Sequence, residues 1–443
     1  MTEPKISVGI IEAASIRFDL YGEYLLKGFS KPLNGEFEAK INSGKIIVLQ
    51  NGAQIAEESE ILFKPSDVES DSFLLYDVII GKDFHWMKKE KQRFRGSIKL
   101  VLNNNQIHAI NFISLEDYLT SVISSEMSPN CSIESLKAHS IISRSWLLAQ
   151  LDKKKNKEES ITTSHITEQE IIRWYDRQDH QLYDFCADDH CQRYQGISKV
   201  FNDNANAAVM ATRGYVLMHN NNICDTRFSK CCGGITEAFH NVWENEKHEY
   251  LDCNFDYKFE LDGVSFDLTT EEDFTRWVRS SPNAYCNTSD PRILSQVLVD
   301  FDRSTTDFFR WKVEYSQEEL KSIITEKSGI DFGDLIEFEP IERGGSGRLI
   351  KLEIVGGKKT ITIGKELEIR RILSKTHLYS SAFIITAQNF INGIPQNFVI
   401  EGAGWGHGVG LCQIGAAVMS ELGHGFDEIL LHYFKSAKIQ KIY

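Results

Sequence analysis

The glycine spacing near the C-terminus is the strongest constraint on how this chain folds. Every second residue from 402 to 410 is glycine, which predicts an extended segment with one face free of side chains. Because glycine weakens a strand through chain entropy and lost packing, its repeated use indicates that a ligand or another backbone comes close. Trp405 and His407 lie between the glycines. A flat apolar ring and a titratable group on a bare backbone favour a binding site over a loosened buried strand.

The same run does not fit a nucleotide-binding loop. A phosphate-cradling loop needs Lys followed by Ser or Thr after its last glycine, and a dinucleotide fingerprint needs Gly-x-Gly-x-x-Gly. Neither spacing occurs here. The formal charge of -14, from 49 basic and 63 acidic residues, also argues against nonspecific binding to nucleic acid or to anionic lipid. We therefore expect no nucleic-acid partner.

No apolar run is long enough for a transmembrane helix, so we expect no membrane span. The first residues do not resemble a signal peptide. The nine cysteines, an odd number that includes the adjacent Cys231 and Cys232, make a poor disulfide framework. These features leave the compartment of the protein unassigned.

Capping residues and apolar spacing predict helices after a strand-rich first hundred residues. The first helix begins at Ser114 and ends at Pro129, and the second spans about 132–151. Thr167 with Glu170 predicts a short third helix.

Strands continue to alternate with helices in the second half of the chain. Residues 214–222 are typical of a hairpin with an Asn-rich turn, Ser316 opens a helix that Gly329 ends, and Gly344–Gly347 lies in a further hairpin. We therefore expect an α+β fold with mixed β-sheets. The predicted divisions are a strand-rich N-terminal region at 1–105, a catalytic core with its helical segment at 106–243, an inserted α/β subdomain at 244–345 and the second part of the core at 346–443.

Glu126 is the best single candidate for acid–base chemistry. It lies at the C-terminal end of the first predicted helix, three residues before Pro129. The negative end of a helix dipole and partial burial both favour the neutral carboxyl, which is the form a general acid needs. The alternative is a solvated glutamate in the last helical turn.

A second constellation could hold a metal. His180, Cys186, His190 and Cys191 lie within a dozen residues, so one loop can gather a tetrahedral Cys2His2 set at small entropic cost. The spacing matches no common zinc-finger pattern, and the alternative is two buried free cysteines. The His-x-Glu and Pro-Cys-x-x-Cys signature of zinc deaminases is absent, so any zinc here is expected to be structural.

Cysteine chemistry is a third possibility. Cys231 and Cys232 precede two glycines and could supply a nucleophile with His240 or His407 as its partner. A plain Gly-Gly turn is the alternative.

Taken together, these segments resemble the SpoIID/LytB family, which comprises stage II sporulation protein D and the amidase enhancers. The resemblance follows the family's order from about residue 90 to the C-terminus. The segments that carry it are Ser114–Leu119 with Ser125–Met127, Glu134–Ala138 with Arg144–Trp146, Cys191–Gly196, Ala207–Gly214, Cys232–Gly234 with Thr236 and Trp243, and Gly404–Gly410 with Gln413, Gly415–Ala416 and His432–Tyr433.

The resemblance implies a lytic transglycosylase that cleaves the glycan strands of peptidoglycan and forms 1,6-anhydro-muramic acid. Glu126 occupies the family's catalytic position and would act as acid and then as base. The family's zinc ligands imply that His180, Cys186, His190 and Cys191 bind zinc. We expect substrate contacts from a further set of residues: Trp405, His407, Gln413, Gly406, Gly408, Arg144 and Ser229.

Three positions depart from the usual family pattern. His139 stands where glutamine is common, Cys231–Cys232 where Ser or Thr-Ser is common, and Cys412 where serine is common. A second hypothesis is a non-catalytic amidase enhancer that grips glycan strands and stimulates a cell-wall amidase. A cysteine or zinc hydrolase that uses Cys231 or Cys232 is the third.

Overall fold

The computed structural model describes residues 2–81, 87–128, 131–156, 164–174, 180–188, 190–200, 203–258, 266–297 and 305–443. Pro129, the predicted end of the first helix, lies outside these ranges. The chain divides into two compact units, the first formed by residues 1–144, 178–216 and 441–443 and the second by 145–177 and 217–440. These two units do not test the four-part division predicted from the sequence, which stays a prediction. None of the described helices combines the length and apolar character that crossing a membrane requires.

Within the described residues, ten strands precede the first helix, and helices and further strands are mixed in the rest of the chain, which makes an α+β fold. The strands are β1 (Lys5–Ala13), β2 (Ser15–Leu26), β3 (Leu33–Asn42), β4 (Lys45–Gln50), β5 (Ala53–Glu58), β6 (Glu60–Pro65), β7 (Ser72–Ile80), β8 (Lys88–Arg95), β9 (Ser97–Asn103), β10 (Gln106–Ser114), β11 (His165–Ile166), β12 (Glu170–Ile172), β13 (Phe185–Cys186), β14 (Tyr215–His219), β15 (Asn222–Ile223), β16 (Phe228–Ser229), β17 (Arg310–Ser316), β18 (Leu335–Arg343), β19 (Leu349–Gly356), β20 (Thr360–Gly364), β21 (Phe383–Gln388), β22 (Asn397–Ala403), β23 (Leu411–Cys412) and β24 (Lys438–Lys441). The helices are α1 (Leu115–Glu126), α2 (Ile133–Lys155), α3 (Asn204–Ala211), α4 (Phe239–Val242), α5 (Glu271–Val278), α6 (Pro291–Val297), α7 (Gln317–Ser328), α8 (Glu366–Ile372), α9 (Gln413–Glu421) and α10 (Phe426–Tyr433).

One large, mainly antiparallel sheet forms most of the first unit. Its strand order is β13-β1-β10-β9-β6-β2-β3-β4-β5, and β7 joins β2 to β8. Alternate side chains of these strands face a core where Phe18 stacks on Phe37 with ring centroids 5.3 Å apart. The period-two pattern of the first hundred residues therefore predicted these strands correctly.

Helix α1 begins where the sequence predicts. Ser114 caps it, because its hydroxyl accepts a hydrogen bond from the backbone N–H of Asp117 at 3.2 Å. Glu116, in the first turn, is buried and forms a two-point ion pair with Arg144 of α2, at 2.9 Å from Nε and 2.6 Å from Nη2. Arg144 also donates to the carbonyl oxygen of Tyr215 at 3.0 Å. This pair connects α1 and α2 with the strand after α3.

Several smaller sheets lie in the second unit, and two of them surround its apolar cluster. One has the order β11-β12-β20-β19-β18 and the other β17-β22-β21. Trp311 of β17, Leu320 of α7 and Ile369 of α8 lie in the apolar cluster of this unit. Helix α7 has the predicted ends: the Ser316 hydroxyl accepts from the Glu319 N–H, and Gly329 ends the helix with φ +73°.

The predicted helix at Thr167 and Glu170 is wrong. The Thr167 hydroxyl does accept a hydrogen bond from the Glu170 N–H at 3.0 Å, but this bond closes the turn between β11 and β12. Ile171 and Ile172 then pair in parallel with β20. Branched side chains favour a strand, and pairing with a distant strand overrides a local cap signal.

Arg144→Met should destabilise the first unit by about 3–5 kcal/mol, because removing one partner leaves the buried Glu116 carboxylate without its ion pair. Urea unfolding followed by circular dichroism would measure the loss. Arg17→Met is the matched control, since the Arg17–Asp77 pair is solvent-exposed, and exposed pairs contribute less than about 1 kcal/mol. Equal losses in the two variants would contradict a central role for the buried pair.

Candidate functional site

Glu126 is the last residue of α1 and is half-buried. Its Oε1 accepts a hydrogen bond from the backbone N–H of Arg193 at 3.0 Å. The carboxyl group is therefore held in one orientation by the loop that follows the predicted metal ligands.

Two further contacts fix this loop against α1. The Ser121 hydroxyl donates to the carbonyl oxygen of Gly196 at 2.9 Å. The ring of Tyr194 stacks on Tyr118 of α1 at 4.7 Å. Because all these contacts join α1 to residues 193–196, the end of the helix and the loop form one rigid arrangement within the first unit.

The segment just before residues 193–196 brings together His180, Cys186, His190 and Cys191. One ligand atom from each lies within 4.8 Å of the other three. The Cys191 Sγ lies 3.5 Å from His180 Nε2 and 3.4 Å from His190 Nδ1. In a tetrahedron with Zn–S near 2.3 Å and Zn–N near 2.0 Å, sulfur and nitrogen ligands are about 3.5 Å apart. The donor set and its spacing thus fit a zinc ion.

Cys186 has the character of a metal ligand. Hydrogen bonding with Cys191, and to a smaller extent with His180 and His190, holds the pKa of Cys186 well below that of a free thiol, against the opposing effect of burial. The thiolate is the form of cysteine that binds metal. Glu126 lies close to this cluster in the fold, since Arg193 follows Cys191 by two residues.

The glycine-rich run is not the extended segment that its spacing predicts. Strand β22 ends at Ala403, and Gly404, Gly406, Gly408 and Gly410 all have positive φ, between +74° and +97°. The segment is a winding loop that leads into β23. The alternation arises because every second residue takes a left-handed conformation, which only glycine adopts without strain.

Close approach is the second reason for glycine at 408. A Cβ atom there would lie 2.3 Å from Cζ of the buried Arg348. Arg348 donates hydrogen bonds to the carbonyl oxygens of Gly406 at 3.3 Å and Cys232 at 3.2 Å. The loop is therefore wrapped around this guanidinium group.

Trp405 and His407 are both half-buried in the second unit. The Trp405 ring lies between Tyr379 and Phe308, at centroid distances of 4.2 Å and 4.6 Å. The His407 Nδ1 accepts a hydrogen bond from the Val409 N–H at 3.0 Å. Loss of water around the ring, with repulsion from nearby arginines, lowers the pKa of His407 to about 3.

Four residues expected to contact substrate are buried, and one of them is Gly408, which packs against Arg348. Arg144 is fully enclosed with Glu116, and Gln413 is the buried first residue of α9. Ser229 is buried in β16, and its hydroxyl has no hydrogen-bond partner within the described ranges. Of the expected substrate contacts, the rings of Trp405 and His407 keep part of their surface accessible to solvent.

Cys231 and Cys232 are buried, and burial raises the pKa of both thiols. A buried neutral thiol is a poor nucleophile, so the geometry does not favour the cysteine hydrolase hypothesis. Instead, Cys232 belongs to a cluster that the sequence did not predict, and its other members are Asp256, Cys286 and Cys412. Because successive members are 24 to 126 residues apart, no sequence motif revealed this cluster.

Comparison with known proteins shows which families and proteins this chain is similar to. Residues 103–219 match the family model described as stage II sporulation protein, and residues 237–410 match a domain of unknown function. An uncharacterized protein of Brachyspira hyodysenteriae is 24% identical over 94% of this chain and 88% of its own length.

Two relatives have functional names. The amidase enhancer of Bacillus subtilis is 24% identical over 71% of this chain, but the match covers only 39% of that protein. Stage II sporulation protein D of Bacillus amyloliquefaciens is 22% identical over 75% of this chain and 76% of its own length.

Gly408→Ala should destabilise the second unit by about 2–4 kcal/mol, because the new methyl group combines an unfavourable φ with a clash against Arg348. Gly393→Ala is the matched control, since Gly393 has φ +81° and nothing within 4 Å of an added Cβ. Thermal and urea unfolding of both variants would separate the clash from the backbone strain. Equal losses would mean that Arg348 does not require glycine at 408.

The lowered pKa of His407 also predicts a pH dependence of stability. The ring is neutral in the folded protein down to about pH 3, whereas in the unfolded chain it binds a proton near pH 6.5. Its contribution is therefore complete above pH 6.5 and falls below it by up to about 1.4 kcal/mol per pH unit. Relative to His407→Asn, the wild-type protein should lose free energy of unfolding between pH 6.5 and pH 4.5. If urea unfolding gave free energies with the same pH dependence in the wild-type protein and in His407→Asn, this prediction would be contradicted.

Proposed function

We propose that this chain, whose residues 103–219 match the family model described as stage II sporulation protein, is a lytic transglycosylase of peptidoglycan glycan strands. The observation that carries the proposal is the carboxyl group of Glu126. It lies at the end of α1 and is held by the Arg193 N–H at 3.0 Å. A preoriented carboxyl group is what proton transfer to a leaving oxygen needs.

One carboxyl group suffices for the proposed reaction. The Glu126 carboxyl gives its proton to the glycosidic oxygen as the bond from that oxygen to the muramic acid anomeric carbon breaks. The carboxylate then takes the proton from the 6-hydroxyl of the same sugar, whose oxygen bonds to the anomeric carbon. The products are a 1,6-anhydro sugar and a free hydroxyl, and no water is consumed. Ordinary glycosidases instead use two carboxylates.

The residues His180, Cys186, His190 and Cys191 would hold zinc in a structural role. With zinc bound, these four side chains would close the loop through their ligand bonds, and the ion would take no part in the bond changes. The chain's own contribution is the Arg193 N–H, which follows the last ligand by two residues and orients Glu126. Ser121 and Tyr118 support the same loop from α1.

We assign glycan contact to Trp405 and His407 and to the partly exposed backbone at Gly406, whereas Gly408, which was also expected to contact substrate, is buried against Arg348. The part of Trp405 left accessible beside Tyr379 and Phe308 offers an apolar contact for a sugar ring, and a neutral imidazole can accept or donate a hydrogen bond. His407 also borders a cavity of about 50 Å³ that Arg173, Lys365 and Arg370 line. Arg144, Gln413 and Ser229 are buried, and we assign them supporting roles.

The second candidate function is an amidase enhancer without catalysis of its own. It is favoured by the similarity to a protein named amidase enhancer. In this case the protein would bind glycan strands and stimulate a cell-wall amidase, and Glu126 would be a structural residue.

Glu126→Gln should lower the release of 1,6-anhydro-muropeptides from cell-wall sacculi by at least about a hundredfold, since the amide cannot donate or accept the proton. Mass spectrometry of the digested sacculi gives the product yield. Glu57→Gln, on an exposed strand, is the control and should keep full activity. Undiminished product from folded Glu126→Gln would exclude the assignment. Sacculus binding without product from the wild-type protein at any dose would favour the enhancer.

Cys186→Ala should lose one zinc ion per chain and most of the activity, because the loop no longer presents the Arg193 N–H to Glu126. Metal analysis of the purified protein measures the zinc content independently of the activity. Cys224→Ala, a buried thiol outside both cysteine clusters, should retain the metal and the activity. Unchanged zinc content in folded Cys186→Ala would contradict the ligand assignment.

A further inference from the structure

A second group of metal-ligand side chains lies deep in the second unit. We call it the buried thiol cluster, and its members are Cys232, Asp256, Cys286 and Cys412. One ligand atom from each lies within 4.8 Å of the other three. All four residues are at most 2% exposed. The four side chains come from three loops and the start of α9.

The distances within the cluster match tetrahedral coordination. The sulfurs of Cys232 and Cys286 are 3.6 Å apart, and the Cys232 sulfur is 3.5 Å from Asp256 Oδ2. Around a zinc ion with Zn–S near 2.3 Å and Zn–O near 2.0 Å, the corresponding edges are about 3.8 Å and 3.5 Å. The sulfurs are too far apart for a disulfide, which requires about 2.05 Å.

The charge of Asp256 also indicates a cation. Among the described residues, no Lys or Arg forms an ion pair with this buried carboxyl group; the nearest basic group is His432, whose Nε2 lies 3.7 Å from Oδ1. Buried carboxylates are otherwise paired, metal-bound or protonated. We propose that the buried thiol cluster is a second, structural zinc site.

Surrounding groups are arranged as outer-shell partners of such a site. Asp256 Oδ1 accepts from the Tyr433 hydroxyl at 2.6 Å, and Oδ2 accepts from the Cys286 N–H at 3.0 Å. The Cys412 sulfur, at the N-terminus of α9, accepts from the backbone N–H groups of Cys232 at 3.2 Å and Gly415 at 3.5 Å. Donors of this kind stabilise and orient anionic ligands.

With zinc bound, the three cysteines would be thiolates, and two arginines beside the site would offset part of the negative charge. Arg348 donates to the carbonyl oxygen of Cys232 at 3.2 Å, and Arg310 donates to that of Gly233 at 3.0 Å. Gly415 leaves room for the site, since a Cβ there would lie 2.2 Å from the Tyr433 hydroxyl and 2.8 Å from an Asp256 oxygen.

The proposed zinc ion would fix the glycine-rich loop at both of its ends. Cys231, beside Cys232, exchanges two backbone hydrogen bonds with Trp405, at 3.1 Å and 2.8 Å. Cys412 directly follows the loop in β23. The site therefore has a structural purpose that does not depend on the proposed glycan chemistry.

Zinc stoichiometry of the full-length protein tests the inference. The wild-type chain should hold two zinc ions by metal analysis, and Cys186→Ala should hold one. Adding Cys412→Ala to Cys186→Ala should remove that remaining ion, whereas adding Cys224→Ala should not. One ion in the wild-type chain that is lost in Cys186→Ala would overturn the second site, as would zinc that persists in the folded variant carrying both Cys186→Ala and Cys412→Ala.

Cobalt replacement covers the case in which Cys412→Ala does not fold. Cys186→Ala loaded with Co²⁺ should show thiolate-to-cobalt charge-transfer absorption and the visible bands of a tetrahedral ion, and Asp256→Asn in this background should shift those bands. Absence of thiolate bands in the loaded protein would overturn the proposal. So would a disulfide between Cys232 and Cys286, detected as two thiols that resist alkylation in the unfolded, unreduced protein.

Discussion

The buried ion pair between Glu116 and Arg144 is the interaction on which the proposed catalytic segment depends. Both Glu116 oxygens accept from the guanidinium group, and the Tyr443 hydroxyl donates to Oε1 at 2.5 Å. The pair fixes the first turn of α1, and a helix transmits that position to its last residue, Glu126. Since a buried charge without a partner is strongly destabilising, neither residue can change alone.

Local signals predicted much of this architecture. Ser114 and Ser316 cap helices because a hydroxyl that accepts a backbone N–H needs only its neighbours. His180, Cys186, His190 and Cys191, the ligands proposed for the first zinc, lie within a dozen residues, and one loop brings their side chains together. Thr167 shows the limit: the same kind of hydrogen bond forms, but pairing of Ile171 and Ile172 with a distant strand makes the segment a strand.

The glycine-rich run shows what a pattern of residue types leaves open. Alternating glycines fit either an extended strand or a loop with left-handed turns, and only the backbone angles distinguish them. The buried Arg348, which makes glycine necessary at 408, lies directly before β19 and sixty residues earlier in the sequence. The buried thiol cluster was equally hidden. Its sequence hint was cysteine at 232 and 412, two of the positions where the chain departs from the family pattern that it resembles.

The parallel pairing of β16 with β23 has a consequence for biosynthesis. Ser229 pairs with Cys412, and the Cys232 N–H bonds to the Cys412 sulfur across 180 residues. Contacts between residues so far apart in the sequence form late in folding, because a long loop must close first. During translation from the N-terminus, Cys232 and Cys286 therefore emerge from the ribosome long before Cys412. During this interval the two thiols could pair with the wrong partners, a risk that a reducing environment would remove.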